Sequence, residues 1–202
     1  MSWGVWVAGA IVALIAFGAW QMLGWSFGGT PARMVMSTGA DENTPVVPVR
    51  LGINGRNHAG PLVAVSKGWK DKTGSGTNLV SMAPPKDGKN IAFDVEWVEV
   101  FTQDAYASQL TIPVSDFDIH QLSEPHLRIS ILFGPGGALE IWTSSNDSHA
   151  IQPRLVQKLC GTRKPDKDID YLDPANGALI KSYIRDRRGN AQPGASCAPD
   201  KD

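Results

Sequence analysis

Three things are scarce in this chain, and each scarcity removes a class of function. Cysteine is one: there are only two, Cys160 and Cys197, and neither sits in a Cys-x-x-Cys pair or in a metal-type spacing. An excess of one charge is another: 19 basic residues stand against 20 acidic ones, a net charge of −1. That balance leaves no sequence-wide positive field to hold nucleic acid. Marked catalytic residues are the third. No Gly-x-Ser-x-Gly elbow is present, Ser66, Ser75 and Ser81 lie in or beside weak strands, and His58, His120, His126 and His149 have no partner in sequence. No catalytic residue and no cofactor is assigned, and the chain reads as a non-enzyme.

Charge is also missing from the start of the chain, where no charged side chain precedes Arg33. The stretch Trp3–Phe27 has an apolar centre, Val5–Leu23, broken only by small glycines and Gln21. At about 1.5 Å per residue that centre spans roughly the 30 Å hydrocarbon core of a bilayer. Trp3 and Trp6 mark one end and Trp20 and Trp25 the other, where indole rings favour the headgroup layer. A cleaved signal peptide is the competing reading. The lack of Lys or Arg before the run, its length and the lack of an Ala-x-Ala site argue against it. We expect an uncleaved transmembrane anchor over residues 1–27.

Orientation is nearly silent by flanking charge, since Arg33 is followed by Asp41 and Glu42. The cysteines decide it. A pair behind an export-like N-terminus predicts one disulfide, Cys160–Cys197, in an oxidising compartment. The expected localisation is the bacterial inner membrane, single-pass, with the C-terminal domain in the periplasm. The disulfide closes a loop of about 38 residues, which chain entropy values at roughly 4 kcal/mol.

Residues 28–45 lack periodicity and read as a linker. Residues 46–145 read as an antiparallel β-sandwich, so the fold class is mainly β with a short helical extension at the C-terminus. Val46–Ile53 is broken by Pro48, which suits an edge or entry strand. Asn54-Gly55 is a turn. Pro61–Ser66 is a short apolar run, and Asn78–Ala83 is a weak strand ended by Pro84-Pro85. Ile91–Thr102 is the strongest strand: Phe93, Val95 and Trp97 alternate with Asp94 and Glu96. The phase then slips at Val98 and Val100, which predicts a bulge or cover on both faces. Tyr106–Val114 is its hairpin partner. Leu127, Ile129, Ile131 and Phe133 alternate with His126, Arg128 and Ser130. The turn Gly134–Gly137 follows, and Leu139 and Ile141 return on the same face. Residues 146–202 read as helical: Pro153–Cys160 as a short helix with Leu155, Val156 and Leu159 inward, and a second helix from Asp173-Pro174 to Gly189.

Among sites, Asp116, Asp118 and His120 alternate in an extended stretch and could face one way, as metal ligands do. No further acid or nearby His completes a motif, so no metal is assigned. Gly134–Gly137 lies between strands and so cannot present helix N–H groups to a phosphate. Trp69 sits in the polar loop Lys67–Thr77, where no sheet face needs it; it is either a lid folded onto the core or an anchor for a partner. With Arg56 and Lys70 it forms the expected partner-binding set, at a sandwich end built from Asn54–Ala59 and Lys67–Thr77.

The landmarks Ile53-Asn54-Gly55, Pro84, Val95-x-Trp97, Ile112-Pro113 and Phe133-Gly134-Pro135-x-Gly137 run in the order of a known family. Over Val46–Thr143 the chain resembles small bacterial envelope proteins, mostly lipoproteins, that carry a domain of unknown function. Members are often encoded beside type VI secretion phospholipase effectors, and some are thought to be their immunity proteins. Two features depart from the family. The anchor stands where the family has an acylated N-terminal cysteine, and Val80-Ser81 stands where it has a Cys pair. The resemblance carries no catalytic residues. It implies a membrane-anchored extracytoplasmic binding protein, an immunity protein that occludes a secreted phospholipase effector. The alternatives are a structural or assembly component of an envelope complex and a small envelope hydrolase.

Overall fold

A computed structural model of the chain describes residues 33–41, 43–58, 69–70, 72, 80–85, 88–120, 126–147, 150–171, 173–177 and 197. Its strands are β1 (Arg33–Ala40), β2 (Val46–Ile53), β3 (Arg56–Asn57), β4 (Val80–Met82), β5 (Asn90–Glu99) and β6 (Ala105–Pro113). They continue with β7 (Ile119–His120), β8 (His126–Phe133), β9 (Ala138–Asp147), β10 (Ala150–Cys160) and β11 (Thr162–Arg163). One sheet runs β10-β9-β8-β1-β4 with β7 added beside β8, and the other runs β11-β6-β5-β2-β3. All pairings are antiparallel except β1 with β8. The fold is mainly β, and its two sheets are those of a β-sandwich. The described residues belong to the unit Pro31–Asp202.

The alternating residues of the sequence supply the core. Phe93, Val95 and Trp97 from β5 meet Leu127, Ile129, Ile131 and Phe133 from β8 and Leu139 and Ile141 from β9, all buried. The phase slip in β5 is explained by cover on both faces. Val98, Val100 and Ala105 join Val47 and Tyr171 in a second buried cluster, with Val49, Phe101 and Ile169 packed around it. Pro48 sits where the β2–β5 register shifts, at a bulge that tolerates its missing N–H. The β5–β6 and β8–β9 hairpins form as their patterns predict.

Two expectations are overturned. Residues 33–40 are not linker: β1 is an inner strand of its sheet, parallel to β8 and antiparallel to β4. Met34 and Met36 enter the core, but Ser37 and Thr38 are buried too. A strand covered on both faces shows no alternation, so its sequence resembles a linker's. Residues 150–160 are not a helix but strand β10. Its register on β9 shifts between Leu155 and Gln157, so one extra residue resets which face is wet. Val156 and Leu159 pack on the core while Leu155 stays 40% exposed. A bulge in a strand has given the spacing of a helix stripe.

Of the second expected helix, Pro174–Gly177 is helical, and the rest lies outside the described residues, as do the apolar Trp3–Phe27 stretch and Pro61–Ser66. Among the described residues no helix is long and apolar enough to cross a membrane.

The Cys160–Cys197 disulfide is present, joining residues 37 apart in sequence. Cys197 also donates its backbone N–H to the Gly136 carbonyl at 3.2 Å. Cys197→Ser is therefore expected to lower the unfolding free energy of the full chain by up to about 4 kcal/mol. The sandwich should keep its far-UV spectrum. An unchanged denaturation midpoint would show that the bridge holds nothing.

Candidate functional site

The β8–β9 turn is where the two sheets are tied. Gly136 and Gly137 both take positive φ, and a Cβ on Gly137 would lie 2.5 Å from the Tyr106 ring. The strand phase that points Phe93, Val95 and Trp97 inward also turns Glu99 inward, leaving it 3% exposed. Its carboxylate accepts the Gly137 N–H at 2.8 Å and the Thr102 hydroxyl at 3.1 Å. Burial raises the Glu99 carboxyl above its ordinary range; the Gly137 amide and the Thr102 hydroxyl pull it back, and the Asp104 charge adds to the rise. Tyr106, stacked on Trp97 with centroids 5.7 Å apart, is pushed up to about 12 by burial and by the Glu99 and Asp104 charges. Beside this turn, Arg163 is held by Asp104 and Asp168 together, and that pairing keeps the Asp168 carboxyl below its usual value.

Trp69 lies over the same turn. A Cβ on Gly134 would collide with its ring at 2.5 Å, so only glycine admits the indole there. Lys72 sits 3.9 Å from the Trp69 ring centroid and 5.2 Å from that of Trp142. Its ammonium donates to Glu140 at 3.1 Å, and the Trp142 indole N–H donates to the same oxygen at 2.8 Å. A cation held between two rings and a carboxylate is a closed cluster, with cation–π attraction added to the ion pair. Trp69 is thus half-buried and folded back on the sandwich, while Lys70 beside it is exposed.

Arg56 is elsewhere. In the β2–β5 pairing Val46 lies opposite Glu99 and Ile53 opposite Phe93. The Glu99–Gly137 contact therefore marks one end of the sandwich and the Asn54-Gly55 turn the other, roughly 20 Å away along the strand. The structure does not unite Arg56 with Trp69 and Lys70 in one surface; Asn54–His58 lie at one end, and Trp69, Lys70 and Lys72 at the other. At its own end Arg56 lines a cleft of about 490 Å³ with His58, Ile53, Met82, Pro84 and Ala92. A second cleft, of about 410 Å³, lies over β5 and β6; Val49, Val98 and Ile169 line it, and Lys167 bridges to Glu96 at 2.8 Å.

In the Asp116, Asp118 and His120 stretch, Asp118 is met by a cation. Arg154 takes both carboxylate oxygens of Asp118, at 3.2 and 3.0 Å, and the Asp116 carbonyl at 2.8 Å. Ser81 is exposed on β4, and Ser66, Ser75 and His149 lie outside the described residues. Sequence reasoning missed the Lys72–Glu140–Trp142 cluster, because its members come from a loop and a distant strand. Glu99 was signalled in part, by its place in phase with Phe93, Val95 and Trp97. Compared with family models, curated proteins and solved structures, the chain matches none.

The raised Glu99 carboxyl fixes the sign of a pH effect. Its folded value lies above its ordinary 4.5, so within that window the folded chain binds more protons than the unfolded one and stability falls as pH rises. Asp168 acts in the opposite sense, and only below its ordinary 3.8. Urea midpoints of wild type and Glu99→Gln should therefore diverge in favour of wild type as pH is lowered from 8 towards 5. A difference that is constant with pH would show that Glu99 is not titrating in that window.

Proposed function

We propose that this chain is a membrane-anchored, extracytoplasmic binding protein that protects its cell by occluding a secreted phospholipase effector, as the family it resembles implies. The observation that carries the reading is the Cys160–Cys197 disulfide behind a charge-free apolar stretch: an export-type N-terminus and an oxidised pair point to one compartment. Anchoring raises the inhibitor's effective concentration where the effector acts.

The use made of the carboxylates favours binding over catalysis. Glu99 holds Gly137, Glu140 holds Lys72, Asp118 holds Arg154, and Asp104 with Asp168 holds Arg163. Each is committed to a neighbour in the sandwich. The partner-facing surface is the Gly134 end, where Lys70 is exposed beside Trp69. Arg56 is not part of it.

The test has two arms. The chain should stay with membranes after carbonate and high-salt washes, with its N-terminal peptide intact; release as a soluble fragment beginning near residue 30 would sink the anchor. From detergent-solubilised cells it should co-purify a lipase-type effector. Lys70→Glu should reduce that capture without changing Tm, whereas Trp69→Ala should lower Tm, because the indole fills the space over Gly134. Capture of envelope scaffold components in place of a lipase would favour an assembly role.

A further inference from the structure

The cations of the sandwich are unevenly placed. Arg33 opens β1 and is exposed. It is level with His126 across the parallel β1–β8 pairing, and Arg128 follows two residues on, opposite Val35 and on the same outer face. In the antiparallel β1–β4 pairing Met34 lies opposite Met82, so Arg33 is level with Ala83, one of the residues that line the Arg56 cleft. Lys89, exposed, precedes β5 at the same end.

Among the described residues no carboxylate lines the Arg56 cleft. Among the described residues Arg33, Arg56 and Arg128 have neither an ion pair nor a side-chain hydrogen bond. The other described arginines do: Arg50 pairs with Asp94, Arg154 with Asp118, and Arg163 with Asp104 and Asp168. Of the described acids nearest the Arg56 end, Asp94 pairs with Arg50, and Asp116 and Asp118 sit beyond β6 at the corner where Arg154 binds. At the opposite end Asp104, Asp166, Asp168 and Asp170 gather around Arg163, Lys164 and Lys167.

The geometry points to the Arg56 end as a surface that lies against an anionic lipid bilayer, with Arg56 and His58 receiving a phosphate headgroup at the mouth of the cleft. This deepens the membrane-anchored reading and rests on it. Three observations favour a lipid surface over an acidic protein. The cations come from separate strands of both sheets and share one end of the sandwich without converging on a single point. The cleft combines cationic groups with apolar walls (Ile53, Met82, Pro84), as a headgroup with its glycerol requires. And the chain enters the sandwich at this end, through Arg33. Each cation near an anionic surface strengthens association about fivefold, an effect that salt screens.

The test uses the full chain in vesicles. Both native cysteines are bonded to each other, so Ala92→Cys, at an exposed position in the cleft, places one fluorophore there. Headgroup-nitroxide lipid is the quencher, in phosphatidylcholine alone or with phosphatidylglycerol added. Quenching should be stronger with phosphatidylglycerol and should fall in high salt. Arg33→Gln with Arg56→Gln, both exposed sites, should abolish the difference; Lys70→Glu, at the other end, should not. Equal quenching in the two lipids overturns the proposal, as does quenching that the double variant leaves unchanged while a captured acidic protein is lost. If carbonate releases the chain, the anchor reading fails separately. The released chain is then sedimented with each vesicle type: pelleting with phosphatidylglycerol vesicles alone supports the surface, and no pelleting overturns it.

Discussion

One hydrogen bond between the sheets sets most of the described architecture: the Glu99 carboxylate accepting the Gly137 N–H. A buried acceptor bound to a buried amide is far stronger than its solvated equivalent, and leaving either group unmet costs about 1–3 kcal/mol. The bond fixes the β8–β9 turn above the end of β5. From that turn Gly137 accepts the Gly161 N–H at 2.8 Å and Gly136 accepts the Cys197 N–H at 3.2 Å, so the chain entering β11 and the disulfide-linked tail are placed by the same four residues. The close approach explains the glycines: Tyr106 occupies the space a side chain at Gly137 would need, and Trp69 does so at Gly134.

Polar side chains elsewhere follow the same logic of joining elements distant in sequence. Arg163 links β11 to the β5–β6 turn through Asp104 and to the following segment through Asp168. Lys72 fastens a loop to β9 through Glu140, and Arg154 fastens β10 to the segment before β7 through Asp118. These groups hold one another, and the two ends of the sandwich differ in kind. One gathers Asp104, Asp166, Asp168 and Asp170 and carries Trp69 and Lys70; the other carries Arg33, Arg56 and a cleft with no carboxylate among its described lining residues. Such a division suits a domain held at a membrane on one side and meeting a protein on the other.

The sequence by itself determined the two strong hairpins, the inward residues of β5, β8 and β9, the Gly134–Gly137 turn and the disulfide pairing. In each, the information is local: a period of two, a turn residue at a fixed offset, or the only two cysteines present. The break in phase at Val98 and Val100 left a bulge and double cover open, and the packing of Val47 and Tyr171 decides for cover. What only the tertiary structure decided are the elements whose neighbours are distant. β1 is recognised as a strand only once β8 and β4 flank it, since burial on both faces removes the alternation. β10 needs β9 to show that one bulged residue, Val156, and not a helical turn, sets its spacing. Arg56 and Trp69 stand apart because Arg56 follows the turn at the Ile53 end of β2, opposite Phe93, whereas Trp69 lies over Gly134 at the Glu99 end; only the strand pairings reveal those two ends.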